Sequence, residues 1–252
     1  PVSVSVVQAA DLSMPINENQ AGGCTSTSRQ AQSNEAVLSL DPGVRTFMTG
    51  YDPAGTVCEW GKQDMRRIYR LGHTVDDLQR RWSRKGVTHQ KRYKLQRAAR
   101  RVRLKVRNLV DELHRKLSKW LCENYQVVLL PEFQTSQMIR KGQRKIQATT
   151  VRGMVTWSHY RFRQRLLAKA RAYPGCRVVL CDEAYTSKTC GQCGHLHTKL
   201  GGNKTFTCPS CSVTIDRDVN GARNILLRFL TLNQPPNHNS NQNQEAYSRS
   251  GE

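Results

Sequence analysis

The stretch from Cys190 to Asp218 reads CGQCGHLHTKLGGNKTFTCPSCSVTIDRD. Two C-x-x-C pairs, Cys190/Cys193 and Cys208/Cys211, flank the 14 residues from Gly194 to Thr207, which are rich in Gly, Thr, Asn and Lys. Each pair can fold into a tight knuckle presenting two thiolates, and a short hairpin between the pairs brings the knuckles together. This is zinc-ribbon spacing, with the sulfurs about 2.3 Å from one tetrahedral ion. Gly191 and Gly194 give the first knuckle backbone freedom, and Pro209 stiffens the second. The competing reading is four free or disulfide-bonded cysteines. Four thiolates fill the coordination shell, so the expected Zn2+ is structural, and His195 and His197 read as loop residues.

Directly after the ribbon comes Asp216-Arg217-Asp218-Val219-Asn220-Gly221-Ala222-Arg223-Asn224-Ile225, with acids at the start of an apolar-periodic helix. Carboxylates are favoured there by the helix dipole, and capping alone would explain one of them. A second acid is free to reach a divalent metal, provided that partners arrive from elsewhere in the chain.

At 252 residues the chain can bury one full core plus a small module. A formal charge of +21 places it with binders of polyanions, nucleic acid first. No run approaches the ~18 apolar residues of a spanning helix, so no membrane partner is expected. The N-terminus lacks the charged and apolar regions of a signal peptide. It also lacks an initiator Met, which fits a domain cut from a longer protein. Five of the nine cysteines, Cys24, Cys58, Cys122, Cys176 and Cys181, have no framework spacing, which fits a reducing, intracellular compartment.

In chain order, residues 1–34 are polar and aperiodic and read as a disordered leader or linker. Residues 36–40, 45–50 and 56–60 read as a three-stranded meander, with Asp41 at the end of the first strand, where Asp-Pro-Gly is also ordinary turn chemistry. From Asp64 to Asn124 apolar residues recur at helical steps beside a dense cationic face, with a break near Gly86. This predicts a basic helical hairpin whose Arg80, Arg81, Arg84, Lys85, Lys91, Arg92, Lys94 and Arg97 touch phosphates. Residues 126–130 form a buried strand ending before Glu132. A basic loop with Arg140 and Lys141 follows, then one helix over residues 150–172, and a further strand over 177–181 that ends before Glu183. Asn220–Leu230 is the last helix, and residues 233–252 read as a disordered tail.

Strands, helix, strand, helix, strand, insertion and helix in this order predict an α/β, RNase H-like (RuvC) mixed sheet with a long helical insertion and an inserted zinc ribbon. The expected boundaries are a nuclease core over residues 35–183, the hairpin over 64–124, the ribbon over 184–215 and the last helix over 216–232. In that topology acids at strand ends converge, and three carboxylates can hold two divalent ions that activate water against a phosphodiester.

Asp41-Pro42-Gly43-Val44-Arg45, Thr186-Ser187-Lys188-Thr189-Cys190 with the ribbon, and Asp216 to Ile225 together resemble the TnpB (OrfB) nucleases of insertion sequences and their eukaryotic relatives, the Fanzor proteins, related to type V CRISPR effectors. The likeness runs from about Val37 to Leu230. It implies RNA-guided DNA cleavage dependent on Mg2+ or Mn2+, with DNA and a guide RNA as partners. It also implies a nuclear location in a eukaryote and a cytoplasmic or nucleoid one otherwise. Asp41 and Asp218 line up with two catalytic acids, and Arg217 lies beside the second on the nucleic-acid side. The second motif departs from the pattern, because Pro131 stands where the family has Glu, and Glu132 follows one residue later. A one-residue step along a strand reverses the face. Eukaryotic-type relatives carry this acid after the fifth strand, where Glu183 stands, so Glu183 is preferred to Glu132. The family's N-terminal part, which grips the guide RNA, has no counterpart before Asn34. Two functions are therefore carried forward, a metal-dependent nuclease and a noncatalytic, zinc-stabilised nucleic-acid binder.

Overall fold

A computed structural model describes residues 4–7, 36–133, 135–140, 146–181, 186–198, 200–201 and 203–232. The readings placed on Glu183, on Lys141 and on the tail from 233 lie outside the described residues. Val4–Val7 forms β1, Val37–Pro42 β2, Met48–Tyr51 β3 and Val57–Trp60 β4. β1 corrects the reading of the whole leader as disordered. The Val-Ser alternation at its start is a strand pattern that the polar average of the segment hides, and it pairs antiparallel with β4. After the meander come α1 (Asp64–Trp82), α2 (His89–Asn124), β5 (Val127–Pro131), the single turn α3 (Thr135–Met138), α4 (Ala148–Trp157), α5 (His159–Ala170) and β6 (Arg177–Cys181). The small hairpin β7 (Thr205–Thr207) and β8 (Thr214–Asp216) precedes α6 (Arg217–Leu232).

The sheet order is β1-β4-β3-β2-β5-β6, with β2, β5 and β6 parallel and the meander antiparallel. This is the mixed sheet of an RNase H-like fold. The parallel pairs bring the carboxyl ends of β2, β5 and β6 to one edge. Strand periodicity divides the sheet's two faces. Leu38, Leu40, Met48, Trp60, Val128 and Leu130 pack on one side against α1, the second half of α2, and α5. Val127 and Leu129 pack on the other side against Ile225 and Leu226 of α6.

Phe47 is the centre of the larger core. Its ring is stacked between His114 of α2 and His159 of α5, at centroid distances of 5.0 and 4.9 Å, with Trp157 and Phe162 beside it. The single helix expected over 150–172 is broken at Ser158, which takes φ 52°, a left-handed conformation. The break lets the residues on either side reach the turn after Asp41. Trp157 Nε1 donates to Val44 O at 2.8 Å, and His159 Nε2 donates to Gly43 O at 3.1 Å.

Burial pushes His114 down to about 4 and His159 down to about 3, and both ring nitrogens of His114 lack partners among the described residues. The unfolded chain takes up protons near pH 6.5 that the folded core refuses, so stability present above that pH is lost as pH falls. Between pH 7 and pH 5 the unfolding free energy should fall by about 2 kcal/mol more in the wild type than in His114→Phe. Parallel pH profiles from urea titrations would overturn this account.

Candidate active site

The carboxyl end of β2 meets the start of α6. Ser39 Oγ lies 2.8 Å from Ala222 O and 2.8 Å from Tyr51 O, so Ser39 faces α6 and ties the strand to it. Asp41, two residues on, shares that face. Its carboxylate packs against Gly221, where a Cβ would lie only 2.9 Å from Oδ2 and 3.2 Å from Cγ. Asp218 stands in the first turn of the same helix, three residues before Gly221, and residues at that spacing share a helix face. The fold thus brings Asp41 and Asp218 to one end of α6.

The two acids before this helix divide their roles. Asp216 Oδ1 accepts from Asp218 N at 2.9 Å, the bond of an N-cap residue to the second helical position, and Lys204 Nζ lies 3.1 Å from Asp216 Oδ2. The cap is therefore supplied by Asp216, and Asp218 is not needed for it. Burial, then the negative charge of Asp216, pushes the Asp218 carboxyl above the ordinary range, with Glu59 adding and Lys204 and Arg217 opposing.

Glu59 is an acid that the sequence reading passed over. Asp41 is opposite Thr49 and Thr49 is opposite Glu59 in register, so all three share a face. Glu59 is buried, ion-paired with Lys62 and 3.4 Å from Thr46 Oγ1. An acid at an inward position of a four-residue strand was the available signal.

Glu132 is not brought to this place. Along β5, Val127 and Leu129 belong to the α6 side and Val128 and Leu130 to the other. Pro131 thus takes the next α6-side position, and Glu132 turns toward α5, where its Oε1 lies 3.9 Å from Arg163 Nη1. Cys181, the last residue of β6, packs on the α6 side, two residues before Glu183 in the sequence.

The four ribbon cysteines converge. Their sulfurs all lie within 4.8 Å of one another, with Cys190 and Cys211 3.7 Å apart and Cys193 and Cys208 3.6 Å apart. Four thiolates about 2.3 Å from a central ion stand about 3.8 Å from each other at tetrahedral angles, so the cage fits zinc. Neither His195 nor His197 belongs to it. Backbone N–H groups of Cys211 and Ser210 lower the Cys208 thiol, while hydrogen bonding from the neighbouring cysteines raises Cys211, so the four thiols lose their protons as a coupled set. Fully buried Phe206 of β7 forms the small core beneath the cage. Two asparagines of α6 clasp the ribbon. Asn220 accepts from Gly191 N at 3.0 Å and donates to Thr189 O at 2.8 Å, while Asn224 donates to Thr186 O at 2.7 Å and Thr189 O at 2.6 Å. These asparagines form part of the quoted motif, yet only the folded ribbon shows what they hold.

A family model described as Cas12f1-like, TNB domain, matches residues 159–225, which span α5, the ribbon and the start of α6. The chain is 33% identical over 202 residues to the putative transposase A625R of Paramecium bursaria Chlorella virus 1, covering 80% of this chain and 45% of that protein. It is 29% identical over 195 residues to the TnpB-like protein L79 of Acanthamoeba polyphaga mimivirus, covering 74% and 36%. The chain belongs to the TnpB/OrfB family. Another relative of this TnpB/OrfB chain is the putative RNA-guided DNA endonuclease InsQ of Escherichia coli K12, 28% identical over 202 residues, covering 76% and 48%. The chain spans about half or less of the length of these curated relatives. Among solved structures, a Cas12f1–sgRNA–target DNA complex superposes with a TM-score of 0.53 at 18% identity, over 75% of this chain and 49% of that one, a likeness of fold.

Within this TnpB/OrfB chain the basic residues singled out from sequence fall in separate places. Arg80, Arg81, Arg84, Lys85, Lys91, Arg92, Lys94 and Arg97 are all exposed around the tip of the α1–α2 hairpin. Arg80 is ion-paired with Asp77. Arg140 is exposed after α3, and Arg217 donates to Gly201 O at 2.9 Å, which ties it to the ribbon. No helix of the described residues is long and apolar enough to cross a membrane.

The raised Asp218 carboxyl fixes a sign. The folded state keeps a proton that the unfolded chain has released, so stability present at low pH is lost as pH rises through the elevated value. Asp218→Asn should therefore raise Tm at pH 7.5, without divalent cations, by about 2–4 °C; an unchanged or lower Tm in a thermal scan would refute the picture of a half-buried carboxyl held above its ordinary range. Thiol modification should release about one equivalent of zinc per chain, read with a chromogenic chelator, and Cys208→Ala should release none.

Proposed function

We propose that this chain is the RuvC-type part of an RNA-guided DNA endonuclease of transposon origin. The observation that carries the reading is the Asp41 carboxylate seated against the helix turn that bears Asp218. Carboxylate oxygens are the donors that Mg2+ and Mn2+ prefer. When bound, a pair of such ions supplies an activated water and stabilises charge on the phosphoryl group and leaving oxygen. Asp41 and Asp218 would hold them, with Glu183 as the third acid by its position after β6. The remaining residues keep these acids in place. Asp216 caps α6, Ser39 fixes the depth of β2 against it, and Trp157 and His159 hold the turn that follows Asp41. The Cas12f1 relative bound to guide RNA and target DNA supports nucleic acid as the partner, and the name given to InsQ supports the reaction class.

One observation favours a second reading, a zinc-stabilised nucleic-acid binder that does not cut. Pro131 occupies the α6-side position of β5, and Glu132 faces the other way.

The test is cleavage of target DNA by protein co-expressed with its RNA, with and without Mg2+ or Mn2+. Asp41→Ala, Asp218→Ala and Glu183→Gln should each lower the rate at least about a hundredfold while leaving DNA retention on gels unchanged, and Glu132→Gln should not. Cutting that survives Asp41→Ala and Asp218→Ala would sink the nuclease reading, and binding without cutting in any metal would favour the second.

A further inference from the structure

The hairpin carries a second charged surface. From Arg84 to Arg107 the sequence has eleven Lys or Arg and no Asp or Glu. Among the described residues none of these eleven forms an ion pair with a carboxylate. The other half of α2 contrasts with this, since Lys116 pairs with Glu112 at 2.7 Å and Lys119 with Glu123 at 3.6 Å. A helix face that repels itself is stabilised when a polyanion lies along it.

The same place holds a groove of about 700 Å³ between the end of α1 and the first half of α2, lined among others by Trp82, Tyr93, Arg97, Arg100, Arg101 and Leu104. That volume is within the usual range of about 300–1,000 Å³ for small-ligand sites. Tyr93, Arg97, Arg100 and Leu104 follow one another at four, three and four residues, so they form a single stripe along the helix. Tyr93 is 58% exposed, although a ring of that size is usually covered.

Phosphate contact alone explains the cations and leaves the rings without a role. A duplex hides the faces of its bases and offers the rings nothing to stack on. An acidic peptide would satisfy the arginines, again without a planar partner for Tyr93 and Trp82. Unpaired nucleotides satisfy both sets of groups, with bases against the rings and guanidinium planes and phosphates against the arginines.

We infer that this groove is a stacking site for unpaired nucleotides. It grips a single-stranded segment through Tyr93 and Trp82, with Arg97, Arg100 and Arg101 on the phosphates. The site rests on the nucleic-acid half of the proposed function and not on cleavage. At about 1.5 Å per residue, Leu104 to Tyr93 lies about 9–26 Å along α2 from Val110, which packs in the main core, so the groove sits on the part of the helix that projects beyond that core.

The whole chain is titrated at fixed salt, without added divalent cations, with labelled oligo(dT), oligo(U), an abasic strand of equal length and an equal-length duplex. A base-bearing single strand should bind about tenfold tighter than the abasic strand. Tyr93→Ala should remove most of that advantage without changing abasic binding, Tyr93→Phe should keep it, and Arg100→Gln should weaken all ligands. Tighter binding of oligo(U) than of oligo(dT) assigns the strand to RNA, and the reverse assigns it to DNA. Equal binding of abasic and base-bearing strands, or a silent Tyr93→Ala, overturns the stacking site and leaves the nuclease reading intact. Failure to bind any nucleic acid overturns both, and displacement of oligo(dT) by poly-aspartate at equal charge overturns the site in favour of an acidic protein surface.

Discussion

The close approach of β2 to α6 constrains everything around it. Ser39 sits fully buried with its hydroxyl between two carbonyls, one from the neighbouring strand and one from the helix. A larger side chain at 39 would push the helix off the sheet, and an apolar one would leave Ala222 O without this donor in a place where water is scarce. Gly221 serves the same purpose one layer up, by leaving room for the Asp41 carboxylate. The α6 side is therefore a thin, largely polar contact with a small apolar patch behind it. The opposite side is a thick apolar core around Phe47.

The order of strands and helices was legible because each strand is a short run of β-branched and aliphatic residues, and the parallel pairing follows from the helices between them. The ribbon was legible because metal-binding cysteines obey strict spacing. The end of β2 and the start of α6 were readable as sites of acids, but their meeting at Gly221 is a matter of packing depth, which no local pattern records. The break at Ser158 was missed because residues 150–172 have helical periodicity throughout. What bends the chain is a tertiary demand, the hydrogen bonds from Trp157 and His159 to a turn far away in sequence. Glu59 was missed for a similar reason, since its nearness to Asp41 comes only from cross-strand register. The strand at Val4–Val7 was lost in the average of a polar segment.

α2 serves two functions along one continuous helix. Its second half contributes Val110, Leu113, Leu117 and Leu121 to the core, and its acids are matched with cations. Its first half contributes little to the core and has cations only. Helical periodicity is the same in both halves, so amphipathicity alone does not separate them. The distribution of acids does, and that distribution is written in the sequence.

The clasp of Asn220 and Asn224 on Thr186 and Thr189 bears on chain connectivity. Thirty-five residues separate the end of β6 from the start of α6, a long excursion for a core element. Closing a free loop of that length costs about 3 kcal/mol in lost chain entropy, beyond the cost of the first contact. Here four sulfurs gathered within 4.8 Å of one another draw the excursion together, and the two asparagines pin it at its base, so part of that disorder is removed inside the ribbon. The last helix can then dock as though its connection were only a few residues long.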